Sequence, residues 1–541
     1  MRTVDPDVWS KNVKKPILNL TRPMKFGLNE VSNVEVRLRK SFHEAMVEFL
    51  RNCSAEGLGF VLDKNNSNLI RLFYLALLLI TMICGLILVT CNIHWSFHRP
   101  RLMVNLKSDR NPIQKIDFPA VAICSHNVIS RSALHDYAKY LYSLDRNNIF
   151  TLEEIKQNLL AFGALQSKSY LPYDFRFVKY LEEVAHETNI TNILYKLSPK
   201  CESMLERCSW RAQRVKCLEL FATRISNIGF CCIFNSRFSR VDRNNPPHKV
   251  NLVGMDAGLS VVVRENTDDF MHVLRVSDGV EVILFDGYQF PLIKAGIIRT
   301  YSASRNFLVS LKLNAQVQEA ASSLLGYRDE WLRCTAPRGA QSVQRSWSWC
   351  AGRCRARAAL ALCHCAPHAL QPLDYELPQT CSLEHLPCLY KHKEKFTFMY
   401  PGERVHESLS EEKQDSVSCL HCRMNCDRRQ YSAELVSAPL SRNMFLNTFF
   451  KGLDLTNTTI ITVSFEKKNQ HLYLVEPGLR WYEIVAAISS QCVFVVGLTA
   501  ISVLEFIYHL TFRWYHHYTT HRQRDRILGK LRKPQPFDAF V

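Results

Sequence analysis

Two long, uncharged apolar stretches divide the chain into a middle section and two flanking sections. They cover residues 72–93 and residues 484–504. Each is long enough for a helix that crosses a hydrocarbon core of about 30 Å, which needs roughly 20 residues. The pattern therefore predicts two transmembrane helices, with the residues between them on one side of the membrane.

The cysteines lie almost entirely between the two apolar stretches. Sixteen of the twenty cysteines fall within residues 124–426, and the other four lie in or before the stretches. Because disulfides persist only in oxidising compartments, this distribution predicts that the middle section is extracellular and that both termini are cytosolic. The protein is then a multi-pass plasma-membrane protein, and the sequons at Asn189 and Asn457 would be exposed to glycosylation.

Helical and strand-like spacings occupy different parts of the middle section. Apolar residues follow helical spacing across 131–225, whereas apolar and polar residues alternate across 250–315. Separate helical and strand blocks favour an α+β fold. The predicted parts are a cytosolic segment at 1–71, transmembrane helix 1 at 72–93, a disulfide-rich extracellular domain at 94–480, transmembrane helix 2 at 481–508 and a cytosolic tail at 509–541.

The net charge of +18 raises the question of a nucleic-acid partner. The basic residues are spread over both sides of the predicted membrane and form no patch interleaved with aromatic residues, so we exclude nucleic-acid binding. A basic run at 522–533 would either contact anionic membrane lipid or remain a solvated segment beside the membrane.

Cysteine spacing is the most specific signal in the chain. Between positions 334 and 426 it includes the pattern Cys350-x3-Cys354-x8-Cys363-x-Cys365. Cys419, His421, Cys422 and Cys426 lie close together and suggest zinc, but zinc sites usually combine paired ligand units. An even number of cysteines in an oxidising compartment favours disulfides instead, so we expect no metal, although spacing alone does not fix the pairing.

Several ordered motifs together resemble one known family. They are Phe118-Pro-Ala-Val-Ala-Ile-Cys124, Gly229-Phe-Cys-Cys-Ile-Phe-Asn235, Gly279-Val-Glu-Val-Ile-Leu, the cysteine block, Trp481-Tyr482 and Ser502-Val-Leu-Glu505. With these motifs the chain resembles the degenerin/epithelial sodium channels, which include acid-sensing ion channels. It is most similar to the insect pickpocket branch, and the resemblance extends over residues 45–510.

The resemblance implies a palm, finger and thumb type of extracellular domain and a trimeric assembly, either a homotrimer or a heterotrimer with related subunits. It also implies a set of disulfides. The implied pairs are Cys124–Cys231, Cys208–Cys217, Cys334–Cys426, Cys350–Cys422, Cys354–Cys419, Cys363–Cys388 and Cys365–Cys381, and the remaining Cys201 and Cys232 would form an eighth.

Polar residues interrupt the second apolar stretch, which ends at Glu505. Its hydroxyl groups could bond to carbonyls of their own helix, and Glu505 could extend to the membrane interface. Polar residues in spans usually face a bundle interior or a water path, however, and an intramembrane carboxylate is functional by default. Two spans cannot enclose a conduit, and the implied trimer would form a ring of three Glu505 side chains that attracts cations.

The resemblance places a selectivity filter at Gly497, Leu498 and Thr499. There, Gly497 would permit close approach or a local break, although glycine also serves ordinary helix packing in membranes. Two features depart from the family pattern: Ser489 and Ser490 replace a Gly-Gly pair, and Leu498 is bulky.

The resemblance also implies a role in gating for residues in two places. Ala486, or its neighbour Ala487, lies where the family keeps a small residue above the closed constriction. Before the first span, the family carries a His-Gly pair; Gly57 retains the glycine and Glu56 stands in place of the histidine, so Glu56 adds negative charge where the family has a titratable imidazole.

The sequence therefore predicts a subunit of a stimulus-gated, amiloride-sensitive, sodium-preferring cation channel. The alternative is a non-conducting auxiliary subunit or chemosensory receptor of the same fold, favoured by the departures at Ser489, Ser490 and Leu498. We expect neither an enzyme nor a cofactor. No nucleophile–base pair or glycine-rich phosphate loop stands out, and the His-Glu-x-x-His motif of membrane metallopeptidases does not occur.

Overall fold

The chain divides into two compact units. A computed structural model describes residues 28–52, 67–98, 102–167, 169–239, 242, 246–293, 298–328, 332–336, 344, 346–370, 379–400, 408, 410–441, 449, 451–478, 480–497 and 499–531. The terminal unit combines Met1–His98 with Leu479–Val541, and the central unit is Arg99–Gly478.

Helices occur in both units. In chain order they are α1 (Leu28–Asn52), α2 (Asn68–His98), α3 (Arg131–Leu144), α4 (Leu152–Ala161), α5 (Ala164–Ser167), α6 (Arg176–Glu183), α7 (Ile190–Leu197), α8 (Cys201–Met204), α9 (Cys217–Leu220), α10 (Trp347–Cys363), α11 (Leu386–Lys391), α12 (Ser410–Gln414), α13 (Trp481–Val496), α14 (Ala500–Tyr508) and α15 (Trp514–Leu531). A π-helical turn, His509–Arg513, joins α14 to α15.

The strands belong to the central unit. They are β1 (Leu102–Pro112), β2 (Ala120–Ser125), β3 (Asn127–Ser130), β4 (Leu205–Trp210), β5 (Gln213–Val215), β6 (Phe221–Ser226), β7 (Gly229–Phe234), β8 (Leu259–Arg264), β9 (Phe270–Val273), β10 (Val280–Phe285), β11 (Arg299–Ala303), β12 (Phe307–Ala320), β13 (Phe398–Met399), β14 (Ser416–Val417), β15 (Arg428–Pro439), β16 (Thr458–Phe465) and β17 (Asn469–Pro477). With the helices, they give the mixed helix-and-sheet fold that the sequence predicts.

Two sheets form the centre of this unit. The larger has the order β1-β17-β12-β16-β8-β4-β5, with β15 also paired to β12, and the smaller has the order β11-β10-β2-β7-β6. Strand β10 is buried along its whole length because the side chains on its two faces pack into two different hydrophobic cores. Val280, Val282 and Leu284 join a large core shared with the first sheet, while Ile283 and Phe285 pack into a smaller core on the opposite face.

Aromatic side chains occupy the large core. The Phe118 ring meets the Trp210, Phe465 and Phe234 rings edge-on, with centroid distances of 5.0, 5.8 and 6.0 Å. Edge-to-face pairs of this kind stabilise a core beyond the area that they bury. The Phe118 motif of the sequence therefore lies where the two sheets meet.

A second core joins the helical segment 131–204 to the cysteine-rich segment 332–426. Within it, the Phe150 ring meets the Phe177 and Tyr180 rings edge-on, and Phe177 stacks on Tyr180. Leu383 and Leu386 from the cysteine-rich segment belong to the same buried cluster. The two segments therefore pack through a common apolar interior.

Eight disulfides cross-link the central unit. They join Cys124–Cys231, Cys201–Cys232, Cys208–Cys217, Cys334–Cys426, Cys350–Cys422, Cys354–Cys419, Cys363–Cys388 and Cys365–Cys381. Seven of them are the pairs that the family resemblance implies, and Cys201–Cys232 joins the two cysteines that it left over. The cysteines of the suggested zinc cluster are thus engaged in disulfides. Cys84, Cys91 and Cys492 are free, and Cys53 lies outside the described residues.

The second apolar stretch, predicted as transmembrane helix 2 at 481–508 with either close packing or a local break at Gly497, is not one continuous helix. It consists of the 16-residue α13 and the 9-residue α14, separated at Gly497, whose backbone is left-handed with φ 68°. Within the described residues one helix is long and apolar enough to cross a membrane, judged by length and composition, and it covers Asn68–Trp95 in α2. Helix α2 is longer than the predicted span 72–93 because residues on both sides of the apolar stretch are also helical.

Gly279 meets a strict steric requirement at the start of β10. Its φ is 110°, and a Cβ atom added there would lie 2.2 Å from the carbonyl oxygen of Ala303. Strain of this type costs about 1–3 kcal/mol, so we expect Gly279→Ala to lower the melting temperature of the purified protein. Gly326→Ala is the control, since no described residue lies within 4 Å of its added Cβ. Equal melting temperatures for the two variants would contradict the steric argument.

Candidate functional site

The break between α13 and α14 is built by two residues with different roles. The Gly497 N–H donates to the Val493 carbonyl at 2.9 Å and ends α13 in a left-handed turn. Thr499 then starts α14 as its N-cap, because its hydroxyl accepts from the Ser502 N–H at 3.2 Å. The Ser502 hydroxyl in turn accepts from the Thr499 N–H at 3.3 Å, which completes a capping box.

Such a break changes which groups are available for other contacts. In a continuous helix the backbone N–H and C=O groups bond to each other, whereas each helix end leaves several of them without an intrahelical partner. Gly497 and Thr499 thus bring two helix ends and a hydroxyl group to one point of an apolar segment. Leu498, the middle residue of the predicted filter, lies outside the described residues.

The other predicted pore residues lie on the two helices that flank the break. Glu505 is half-buried on α14. On α13, Ala486, Ser489 and Ser490 are exposed and Ala487 is half-buried. Glu56 and Gly57, predicted before the first span, lie outside the described part of the chain.

The predicted α13 residues share a helix face. Ala486, Ser489, Ser490 and Val493 have the spacing i, i+3, i+4 and i+7, which places them on one side of α13. All four are exposed, although α13 packs against α2 within the terminal unit. The face of α13 that carries Ala486, Ser489, Ser490 and Val493 is therefore not covered by the described residues of this chain.

Helix α1 packs against the segment that follows α14. The Glu48 carboxylate accepts two hydrogen bonds from the Arg513 guanidinium, at 2.6 Å from Nη2 and 2.9 Å from Nε. It also accepts from His517 Nε2 at 2.9 Å, and Glu44 accepts from His521 Nε2 at 2.7 Å. The helices run antiparallel, since the later glutamate pairs with the earlier cation.

The same helix pair has an aromatic part. The Phe49 ring lies 5.3 Å from the Phe506 ring, which belongs to α14, and Phe42 meets Trp514 at 6.1 Å. The hydrogen bonds from Arg513 and His517 lower the pKa of the Glu48 carboxyl to about 2. The N-terminal helix is thus held by charge to the π-helical turn and α15, and by the Phe49–Phe506 ring contact to α14, the helix that carries Glu505.

Sequence reasoning assigned residues 1–71 to a cytosolic segment but did not indicate which part of the chain α1 would contact. A signal was present in the spacing of charges. Glu44 and Glu48 are four residues apart, as are Arg513, His517 and His521, so each set lies on one helix face. Two complementary faces of this kind indicate a possible helix pair, but the sequence alone does not show which other charged face each one meets.

Both predicted glycosylation sites lie in the central unit. Asn189 is exposed at the start of α7, where its side chain caps the helix. Asn457 is exposed immediately before β16. Their exposure fits the sequence-based expectation, which remains a prediction.

We expect Glu48→Gln to loosen α1 from its partner helix. Losing the charge weakens the bonds to Arg513 and His517, so amide hydrogen exchange in Leu28–Asn52 should become about threefold faster. Because the pairing lowers the pKa of Glu48 from its ordinary 4.5, its contribution is complete at pH 7 and is lost only as the pH falls from 4.5 toward 2. The measurement therefore belongs at pH 7.

Glu35→Gln is the matched control for that experiment. Glu35 lies on the same helix and is exposed. Equal exchange rates in α1 for Glu35→Gln, Glu48→Gln and the unmodified protein would show that the Glu48 contacts do not hold the helix pair together.

Comparisons with known proteins identify the family. The model of the amiloride-sensitive sodium channel family matches residues 49–509, which is most of the chain. The chain is 20% identical to the sodium channel protein Nach of Drosophila ananassae over 477 residues, covering 86% of each chain. It is 21% identical to Nach of Drosophila melanogaster over 494 residues, again covering 86% of each.

A third relative connects the chain to another group of insect proteins. Pickpocket protein 19 of Drosophila melanogaster is 23% identical over 390 residues, covering 68% of this chain and 72% of the relative. These matches agree with the predicted resemblance to the insect pickpocket branch. The chain belongs to the amiloride-sensitive sodium channel family, the degenerin/epithelial sodium channel type of channel subunit.

Proposed function

We propose that the chain is a subunit of a stimulus-gated, amiloride-sensitive cation channel that prefers sodium. The central unit is extracellular and senses the stimulus, both termini are cytosolic, and the α13–α14 segments of three subunits conduct. The observation that carries the proposal is the break at Gly497. It interrupts the second apolar stretch in a chain whose family match covers residues 49–509.

The break supplies chemistry that suits a selectivity filter. Cations lose part of their hydration shell at a constriction, where backbone carbonyl groups and hydroxyl groups replace water. Irregular backbone within a membrane is tolerated where it lines a water-filled cavity. Gly497 and Thr499 provide a helix end and a hydroxyl at the point that the sequence assigns to the filter.

The exposed face of α13 supports assembly with further subunits. Two apolar segments cannot enclose a water path, so conduction requires more than one chain. Small residues let membrane helices approach closely, and Ala486, Ser489 and Ser490 offer such a surface. A homotrimer or a heterotrimer with related subunits would place these faces around a common axis.

A second candidate function is a non-conducting auxiliary subunit or chemosensory receptor. It is favoured by Ser489 and Ser490 in place of the family's paired glycines and by the bulk of Leu498. Recording current from cells that express this subunit alone, and then with a related subunit, separates the two functions. Current in either setting, blocked by amiloride, supports the channel, whereas silence in both supports the receptor.

The charge of Glu505, at the end of the second apolar stretch, should affect cation conductance. We expect Glu505→Gln to reduce cation conductance by about twofold in 10 mM salt and by less in 150 mM salt, because screening shortens the reach of the charge. Gly497→Ala should alter the sodium-over-potassium preference or abolish current, since alanine is strained at φ 68°. Glu182→Gln, at an exposed site of the central unit, is the control.

Unchanged conductance in Glu505→Gln together with unchanged selectivity in Gly497→Ala would mean that neither α13 nor α14 lines the pathway. Loss of surface protein is measured in parallel by biotinylation of intact cells, so that a trafficking defect is not taken for a permeation defect.

Side-chain size at Ala486 should control the closed state. A phenylalanine there would clash in tightly packed closed helices and relax when the helices separate. About 3 kcal/mol of closed-state strain changes the closed-to-open ratio by more than a hundredfold. We therefore expect Ala486→Phe, or Ala487→Phe if the register differs by one residue, to give a standing cation current without a stimulus.

Val485→Phe is the control for this gating experiment, because Val485 is exposed on a different face of α13 and is already large. Silent Ala486→Phe and Ala487→Phe variants, despite confirmed assembly at the surface, would favour the non-conducting receptor.

A further inference from the structure

The central unit contains a large cavity between three parts of the fold. Its volume is about 600 Å³, which is within the range of small-molecule sites. The strand region supplies His126 and Glu281, and α5 of the helical segment supplies Gln166. The cysteine-rich segment supplies Arg355 from α10. A ligand here would therefore contact all three parts at once.

Arg355 is the central electrostatic feature of the cavity. Its side chain is only 5% exposed, and burial lowers its pKa to about 10, so the guanidinium remains charged at neutral pH. Nη2 donates to the Thr397 carbonyl at 3.2 Å, and Nε has no hydrogen-bond partner among the described residues. No carboxylate of the described residues forms an ion pair with Arg355. A buried cation without a counter-charge is costly.

The other charged side chains around the cavity are already paired. Arg275 Nη1 lies 2.8 Å from Glu281 Oε2, and His126 Nε2 lies 3.6 Å from the same atom. Lys393 lies 3.6 Å from the Glu394 carboxylate. Among the described lining residues, three Arg and Lys side chains thus face two carboxylates, and Arg355 is the cation that remains.

Most of the remaining wall is apolar. Ala359 lies one turn after Arg355 on α10, and Leu165, Ile228, Leu292 and Phe396 line the same space. An apolar cavity with a small number of polar groups that fix orientation is the usual form of an organic-ligand site. The cavity combines an apolar body with one uncompensated positive charge.

We propose that this cavity binds an organic anion, a carboxylate joined to an apolar body, with the carboxylate on Arg355. A guanidinium matches a planar carboxylate through parallel hydrogen bonds. The apolar part of the ligand would lie against the wall formed by the helical and strand segments. Because all three parts of the central unit contact the ligand, binding favours one arrangement of them; that this arrangement gates a pore rests on the proposed channel function.

The test measures binding directly and so does not depend on current. Full-length protein in detergent is titrated with 2-naphthoate, 3-phenylpropanoate and octanoate, and with the matching neutral amides, by isothermal titration calorimetry. We expect at least one carboxylate to bind about tenfold or more tightly than its amide, because the amide lacks the charge that pairs with Arg355. Equal affinity within all three pairs would overturn the proposal.

Two substitutions on α10 locate the charge effect. Arg355→Met removes the buried charge at similar length, and it should abolish the preference for carboxylate over amide. Replacing a buried charge by an apolar residue is often neutral or stabilising, so this variant should fold, which a melting curve checks. Arg357→Met, at an exposed position on the same helix, should keep the preference. A preference that survives Arg355→Met would also overturn the proposal.

Parallel current recordings distinguish this inference from the channel function. Carboxylate binding without any current supports the cavity site and counts against the channel. Amiloride-blocked current in a protein that shows no carboxylate preference supports the channel and overturns the cavity site.

Discussion

Much of the central unit depends on the pairing of one long strand, β12. Its 14 residues pair with antiparallel β15 along almost their whole length, and with parallel β16 and then β17 on the other edge. The pairing of Gln318 with Arg428 brings together the two ends of the intervening segment 321–427. The Cys334–Cys426 disulfide, with a sequence separation of 92, then closes the base of that segment. Closing so long a loop lowers the entropy of the unfolded chain and so stabilises the folded one by about 4–5 kcal/mol in the chain-entropy model.

The same strand pair carries polar contacts that hold its surroundings. On β15, the Tyr431 hydroxyl donates to the Asp117 carbonyl at 2.7 Å, and Arg429 Nη1 donates to the Asp117 carboxylate at 2.7 Å. Asp117 directly precedes Phe118 at the centre of the large core. Buried polar groups are tolerated where they are bonded in this way, and a satisfied network favours a single packing arrangement. These contacts hold β15 against the segment that enters the large core.

Sequence patterns predicted features that depend on local spacing. The first apolar run located α2, and alternation across 250–315 located β8 and β10. The family resemblance gave seven disulfide pairs, and the two cysteines that it left over form the eighth. Features that depend on a partner distant in sequence were missed. Nothing near Glu48 indicates Arg513, and nothing on α10 shows that Arg355 is buried beside Thr397. Gly497 shows the limit of composition, because glycine suits either close packing or a helix break, and only the backbone angle decides.

The antiparallel contact between α1 and α15 has a genetic consequence. Since Glu44 and Glu48 are engaged by His521, His517 and Arg513, each end of the chain supplies half of one surface. Lesions at the two ends should then belong to one phenotypic class. A charge reversal at residue 48 should be suppressed by the opposite reversal at residue 513 and by few other changes, so a suppressor screen started at either terminus would lead to the other.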